Sequence, residues 1–233
     1  MGKTHERVRQ GLTGAMNDVP IRHAATIILV RDPEDAPRIL MGQRGRSAAF
    51  MPDKFVFPGG AVDPQDADIP VDMDAACADR LKKHSDCAPG MLAATAIREL
   101  WEETGQCLGR PGAWKSPPDA WRGFAAQGLL PDARALRFFF RAITPPGRPR
   151  RFDARFFLAD AGALSGDLDE FVPVEAELSH LQWVPLAKMR DLNLPFITRI
   201  VLAELTGHLP RTDAPDRVPF VRNDVIDREV VWL

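Results

Sequence analysis

Ala96-Ile97-Arg98-Glu99-Leu100-Trp101-Glu102-Glu103-Thr104-Gly105 decides the reading of this chain. Wound as a helix, it gathers Glu99, Glu102 and Glu103 into one quadrant, because positions three and four apart are surface neighbours. Ala93, Ile97, Leu100 and Thr104 fall on the other side and can face a core. The carboxylates are costly there. Like charges at i,i+4 repel, and acidic groups in a last turn oppose the helix dipole. Arg98 offsets part of that cost, and a hard divalent cation would reverse its sign, since Mg²⁺ prefers carboxylate and phosphate oxygens. Gly105 follows where a helix end wants a left-handed residue. A solvated acidic face is the plain alternative. Phe57-Pro58-Gly59-Gly60, read as a strand ending in a glycine turn, favours the cation reading. Two glycines there let the backbone pass close to something bulky.

Outward from this stretch, the 233 residues allow one large domain with additions. Apolar residues at 45% and charged residues at 27% suit a globular chain with a core. A net charge of -2 gives no support for binding a nucleic-acid polymer or a membrane surface. No apolar run approaches a transmembrane span, and the first twenty residues lack an apolar signal core. Three cysteines, Cys77, Cys87 and Cys107, are too few for a disulfide framework. A reduced, cytoplasmic setting is therefore expected.

Residues 1–20 read as an arm. His23 to Val30 is a buried strand, Asp32 to Pro37 a turn, and Arg38 to Arg44 the returning strand of a hairpin. Residues 61–90 read as an Asp-rich insert with one helix capped by Asp72. A Pro/Gly loop covers 109–117 and a short helix Pro118 to Gln127. Strands are expected at Ala135 to Ile143, Asp153 to Ala159 and Leu181 to Val184, with an acidic loop over 160–176. An amphipathic helix runs from Phe196 to Leu205 and ends at Gly207. Residues 208–233, with β-like ends, form an extension packed on the domain spanning 21–207. Mixed strands and helices favour an α/β sandwich with a mixed sheet over a doubly wound parallel sheet.

Gly60 together with Arg98-Glu99-x-x-Glu102-Glu103-x-Gly105 resembles the box of the Nudix hydrolases, G-x5-E-x7-R-E-U-x-E-E-x-G-U, where U is a bulky aliphatic residue. The second half matches throughout except at its last position, which is Gln106. Between Gly60 and Arg98 stand roughly two dozen residues beyond the usual spacing. Counting from Gly60 gives Asp66 for the first acidic residue of the box, and counting back from Arg98 gives Gly90. An interrupted box is similar to that of the coenzyme A diphosphatase branch. That branch's upstream signature, L-L-T-x-R-[SA]-x3-R-x3-G-x3-F-P-G-G, aligns without gaps. Leu40, Arg44 and Phe57 to Gly60 match it, while Gly45, Ala49 and Asp53 depart from it.

The resemblance implies an α/β/α sandwich and a Mg²⁺- or Mn²⁺-dependent hydrolase that cleaves a nucleoside diphosphate joined to another group. Coenzyme A and its acyl derivatives are the first candidates. The alternatives are an ADP-sugar or dinucleotide diphosphatase acting on ADP-ribose or NADH, and a catalytically silent module that senses a nucleotide. The chain keeps every glutamate that a silent module would lose. By the same resemblance Glu99, Glu102 and Glu103 are the metal ligands, Glu102 and Arg98 belong to the catalytic machinery, and Arg98 orients the cluster. Gly59 and Gly60 admit the phosphates. Glu175 and Glu177 in the later acidic loop are candidates for the general base. Arg44 and Arg151 are candidates for gripping phosphate, because a guanidinium fork suits such oxygens. The family also makes a homodimer an expectation.

Overall fold

His23 to Val30, the longest apolar run, forms the centre of the sheet because it is covered on both faces. A computed structural model describes residues 19–48, 50–224 and 229–233; all but the last two residues of the expected N-terminal arm lie outside that description. β1 (Ile21–Arg31) turns back into β2 (Arg38–Arg44) as an antiparallel hairpin, with Val30 opposite Ile39. β3 (Phe55–Val56) adds to β2, and β4 (Gly59–Ala61) pairs antiparallel with β1, Ala25 opposite Gly60. Helices α1 (Ala75–Lys82) and α2 (Pro89–Thr104) follow. A separate ribbon joins β5 (Gly109–Pro111) to β6 (Leu129–Pro131) across the short α3 (Arg122–Ala126). β7 (Arg137–Ile143) and β8 (Arg151–Asp160) make the second large hairpin. β8 runs parallel to β1 from Ile21 opposite Arg151 to Val30 opposite Asp160. β9 (Leu178–Pro185) pairs with β2, and α4 (Phe196–His208) follows it. β10 (Pro219–Arg222) lies parallel to β7, and β11 (Glu229–Trp232) closes that edge. Nine of these strands form one mixed sheet.

Strand alternation sorts β1 between two cores. Ala25, Ile27 and Leu29 pack with Leu92, Ala93, Ala96, Ile97 and Leu100 of α2. Ile28 and Val30 pack with Val201, Leu202 and Leu205 of α4. Each large aliphatic side chain so buried contributes about 1.5–3 kcal/mol relative to exposure. The result is the expected sandwich, with helices on both faces of a mixed sheet. No helix among the described residues is long and apolar enough to cross a membrane.

Four local expectations are corrected. Gly59 and Gly60 lie within β4 rather than in a turn, because their backbone completes the ladder with Thr26 and Ala25. The helix at 75–82 is capped by Asp74, whose side chain accepts from the Cys77 amide at 2.9 Å. Asp72 is instead used through its carbonyl, which accepts from the Ala133 amide. The last helix continues through Gly207, since the Leu209 amide still bonds to the Leu205 carbonyl at 3.0 Å. The β5–β6 ribbon occupies part of what reads as a Pro/Gly loop.

The segment 61–90 is part of the body. Ile69, Cys77, Leu81 and Cys87 are buried in the α2-side core. Its far end is tied to the sheet by a polar cluster. Arg141 donates to both oxygens of Asp153 at 2.8 and 2.7 Å, and to the Lys83 and His84 carbonyls at 3.1 and 2.8 Å. Arg155 is fully buried and donates to Ser85 Oγ at 2.7 Å and His23 Nδ1 at 2.9 Å. A guanidinium has no acceptor, so Nδ1 accepts and the ring proton sits on Nε2, facing Asp86 at 3.0 Å. Burial lowers the Arg155 pKa to about 10; Asp153 opposes that shift and Arg141 adds to it. Removing the shared carboxylate leaves two buried cations without a counterion. Asp153→Ala is therefore expected to cost about 3–5 kcal/mol, read as a shift in the urea unfolding midpoint.

Candidate functional site

The α2 helix delivers its carboxylates through its last turn, which is held from three sides. Gly105 has φ +76° and returns its amide to the Trp101 carbonyl at 2.8 Å. Ile97 and Leu100 are buried in the core, which fixes the rotation of the helix. The third hold is Arg98, itself only 7% exposed. Its Nε and one terminal nitrogen bond to the two oxygens of Asp66 at 2.9 and 3.0 Å. The other terminal nitrogen reaches Glu99 at 3.0 Å and Glu102 at 2.7 Å. The Ala61 carbonyl, at 3.2 Å, takes the last proton. All five donors of the fork are thus used. Burial works against the charge on Arg98, but Asp66, Glu99 and Glu102 outweigh it and raise its pKa.

Asp66 is the residue whose role spacing alone left open. It is fully buried in a one-turn 3-10 helix, Pro64–Asp68. It accepts from the Asp63 amide at 3.1 Å, closing a reciprocal cap, and from Thr95 Oγ1 at 2.8 Å. The signal for it was local. Asp63-Pro64-Gln65-Asp66 has a capping residue, a proline at the first position and an acid at the third. That pattern makes a turn soon after β4 and sets Asp66, six residues beyond Gly60, against Arg98.

The carboxylates themselves are packed tightly. Glu103 is 2% exposed and accepts from the Gly59 amide at 2.8 Å. Burial, then the neighbouring Glu99, pushes its pKa well above the ordinary carboxylate range, against the pull of the Gly59 amide and Arg44. Burial also raises Glu99 to about 7 and raises Glu102, with Arg98 opposing both shifts. Gly60 faces Glu99 so closely that a Cβ there would land on the carboxylate. Gly59, at φ +155°, would place a Cβ 2.5 Å from the Ala25 carbonyl oxygen. Both glycines are thus set by close approach.

Arg44, at the end of β2, donates to Glu177 at 3.2 Å, and its Nε is buried without an acceptor. Glu177 stands near enough to Glu99 and Glu103 to raise both. The Glu175 amide bonds to the Glu102 carbonyl at 2.9 Å, and the Glu175 side chain is exposed. The structure therefore gathers Arg98, Glu99, Glu102, Glu103, Gly59, Gly60, Arg44 and Glu177. It does not bring Arg151 to them. That side chain is buried and donates to the Thr144 and Asn223 carbonyls, at 3.1 and 3.2 Å, fastening the β7–β8 connection to the end of β10.

Clustered carboxylate oxygens with raised pKa values suit a hard divalent cation. The arrangement is not a ready-made ligand set, and no three His, Cys, Asp or Glu side chains form one among the described residues. Glu99 and Glu102 are turned toward Arg98, and Glu103 toward the Gly59 amide. A cation would compete with these donors for oxygens that each have further lone pairs.

A likeness to known proteins agrees with this geometry. No family model matches the chain. A candidate hydrolase of Caenorhabditis elegans named nudix hydrolase 7 is 29% identical over 175 residues, covering 70% of this chain and 51% of that protein. The chain thus spans about half the length of that relative. The crystal structure of a Nudix hydrolase from Alicyclobacillus acidocaldarius is 32% identical, with 85% of this chain and 88% of that one covered and a TM-score of 0.56. The chain belongs to the Nudix hydrolase superfamily.

Two substitutions test the geometry. Gly60→Ala is expected to push the Glu99 carboxylate out of place while leaving the far core intact, seen as lost divalent-cation binding with a near-normal melting temperature. Asp66→Ala is expected to cost about 3–5 kcal/mol in unfolding free energy, because Arg98 loses its buried partner.

Proposed function

We propose that this chain is a divalent-cation-dependent hydrolase cleaving the diphosphate of a nucleoside diphosphate joined to another group. The observation that supports this most is the Glu99–Glu102–Glu103 turn, half-buried at Glu99 and Glu102 and buried at Glu103, held against the Gly59–Gly60 backbone by Arg98 and the Gly59 amide. Such a cluster is costly unless a cation is bound, and the Gly59–Gly60 backbone runs directly beside it. Glu99, Glu102 and Glu103 would hold Mg²⁺ or Mn²⁺, which neutralises substrate charge and acidifies water. Arg98 keeps two of those carboxylates in one orientation. Arg44 grips a phosphate oxygen through its guanidinium. Glu177 takes a proton from the attacking water as its oxygen bonds to phosphorus and the bridging P–O bond breaks.

Coenzyme A and its acyl esters are the first conjugates to test, on the match of Leu40, Arg44 and Phe57 to Gly60 to that branch's signature. Their hydrolysis releases a phosphopantetheine and an adenosine bisphosphate, whereas ADP-ribose or NADH would release AMP. Incubation with each conjugate, with and without Mn²⁺, and product identification by mass separates these outcomes. Glu103→Gln keeps the shape and removes a ligand charge. Turnover is expected to fall by about a hundredfold or more, beyond the loss usual for an outer-shell partner, with the circular-dichroism spectrum unchanged. Near wild-type turnover would remove Glu103 from the site.

A further inference from the structure

The acidic loop that brings Glu175 and Glu177 to the helix carries Asp167, Asp169 and Glu170 as well. Two ion pairs reach the loop from the strands, Arg31 to Asp169 at 2.6 Å and Arg44 to Glu177 at 3.2 Å, and Trp183 Nε1 donates to the Leu168 carbonyl at 2.7 Å; the tie to the end of α2 is a different one. Gln106 stands at the box position where the superfamily pattern has a bulky aliphatic residue. It is 3% exposed, and its side-chain amide donates to the Asp167 carbonyl at 3.0 Å and the Glu170 carbonyl at 2.8 Å. Its own amide is fixed to Thr104 Oγ1 at 3.0 Å, and that hydroxyl donates to the Leu100 carbonyl at 2.6 Å. The loop beyond is then close enough for the Val174 and Glu175 amides both to bond to the Glu102 carbonyl at 2.9 Å. Gly105 is bare where a Cβ would meet the Val172 carbonyl oxygen at 2.6 Å.

We propose that Gln106 is a positioning residue: its neutral side-chain amide ties the acidic loop to the end of α2 and so sets where Glu177 stands against the glutamate cluster. A neutral double donor does this without altering the charge of the site. An aliphatic side chain there would take this donor from the Glu170 carbonyl and leave the Asp167 carbonyl only the Glu170 amide, at 3.4 Å. The role rests on the hydrolase reading only for its effect on turnover; the anchoring itself does not.

Gln106→Met, close in shape, and Gln106→Leu, the superfamily-like residue, both remove the donors. In the full chain, hydrogen exchange at the Val174 and Glu175 amides is expected to quicken, while amides of β1 and β8 stay protected. On a diphosphate conjugate that the wild type cleaves, kcat is expected to fall by about tenfold to a hundredfold, the scale of small misplacements, with KM within about twofold. Unchanged kcat, or a lowered kcat with Val174 and Glu175 still protected, would overturn the proposal. If Gln106→Met does not fold, Gln106→Leu carries the test. If the wild type cleaves no conjugate, the hydrolase reading falls, and the exchange measurement alone decides the anchoring.

Discussion

The buried fork between Arg98 and Asp66 is the interaction on which the rest of the site depends. A helix end crowded with carboxylates repels itself and opposes its own dipole. Arg98 resolves this by lying along the helix, with one edge spent on Asp66 and the other on Glu99 and Glu102. Because Asp66 is fixed by its own cap and by Thr95, the guanidinium has one available place. The pair is a weak source of stability, since desolvation offsets most of the attraction. What it supplies is orientation. Two flexible glutamates are set before any ligand arrives, and such preorganisation is what a cation or a charged transition state rewards.

Around that fork, backbone rather than side chain makes the close contacts. Gly59 offers its amide to Glu103, Gly60 leaves room for Glu99, and Gly105 leaves room for the acidic loop. Each of these positions would be filled by a single Cβ. The loop in turn supplies two amides to the Glu102 carbonyl, an acceptor that the end of a helix leaves free. Residues 61–90 interrupt the motif in sequence without interrupting it in space. The chain makes the Asp66 turn first, then crosses the α2-side core through Ile69, Cys77 and Leu81, and only then starts α2. Its far end is locked by Arg141, Arg155 and His23, so α2 begins from a rigid support.

Much of this was legible in the residues. The β1–β2 hairpin, the acidic helix with Gly105 at its end, and the mixed sheet follow from apolar runs and turn chemistry. The grouping of Glu99, Glu102 and Glu103 follows from helical period alone. What pattern could not supply was long-range pairing. Arg151 reads as a phosphate ligand because guanidinium chemistry permits it, but two carbonyls reached only after folding claim it. Gln106 reads as a departure from pattern, and its partners lie sixty residues further on. Gly59 and Gly60 read as a turn, since nothing local tells a glycine turn from a glycine strand bordered by β1. Asp66 was recoverable in principle from its cap, because that signal is local.

The central claim is that these carboxylates, beside the Gly59 backbone, form a cation site. Anomalous diffraction from crystals soaked in Mn²⁺ tests it most directly. The account predicts a peak bonded to Glu103 and at least one of Glu99 and Glu102, at roughly the 2.0–2.2 Å typical of hard divalent ions, within reach of Gly59 and Gly60. A peak located elsewhere, or saturating Mn²⁺ that leaves all three carboxylates on Arg98 and the Gly59 amide with no density between them, would contradict it.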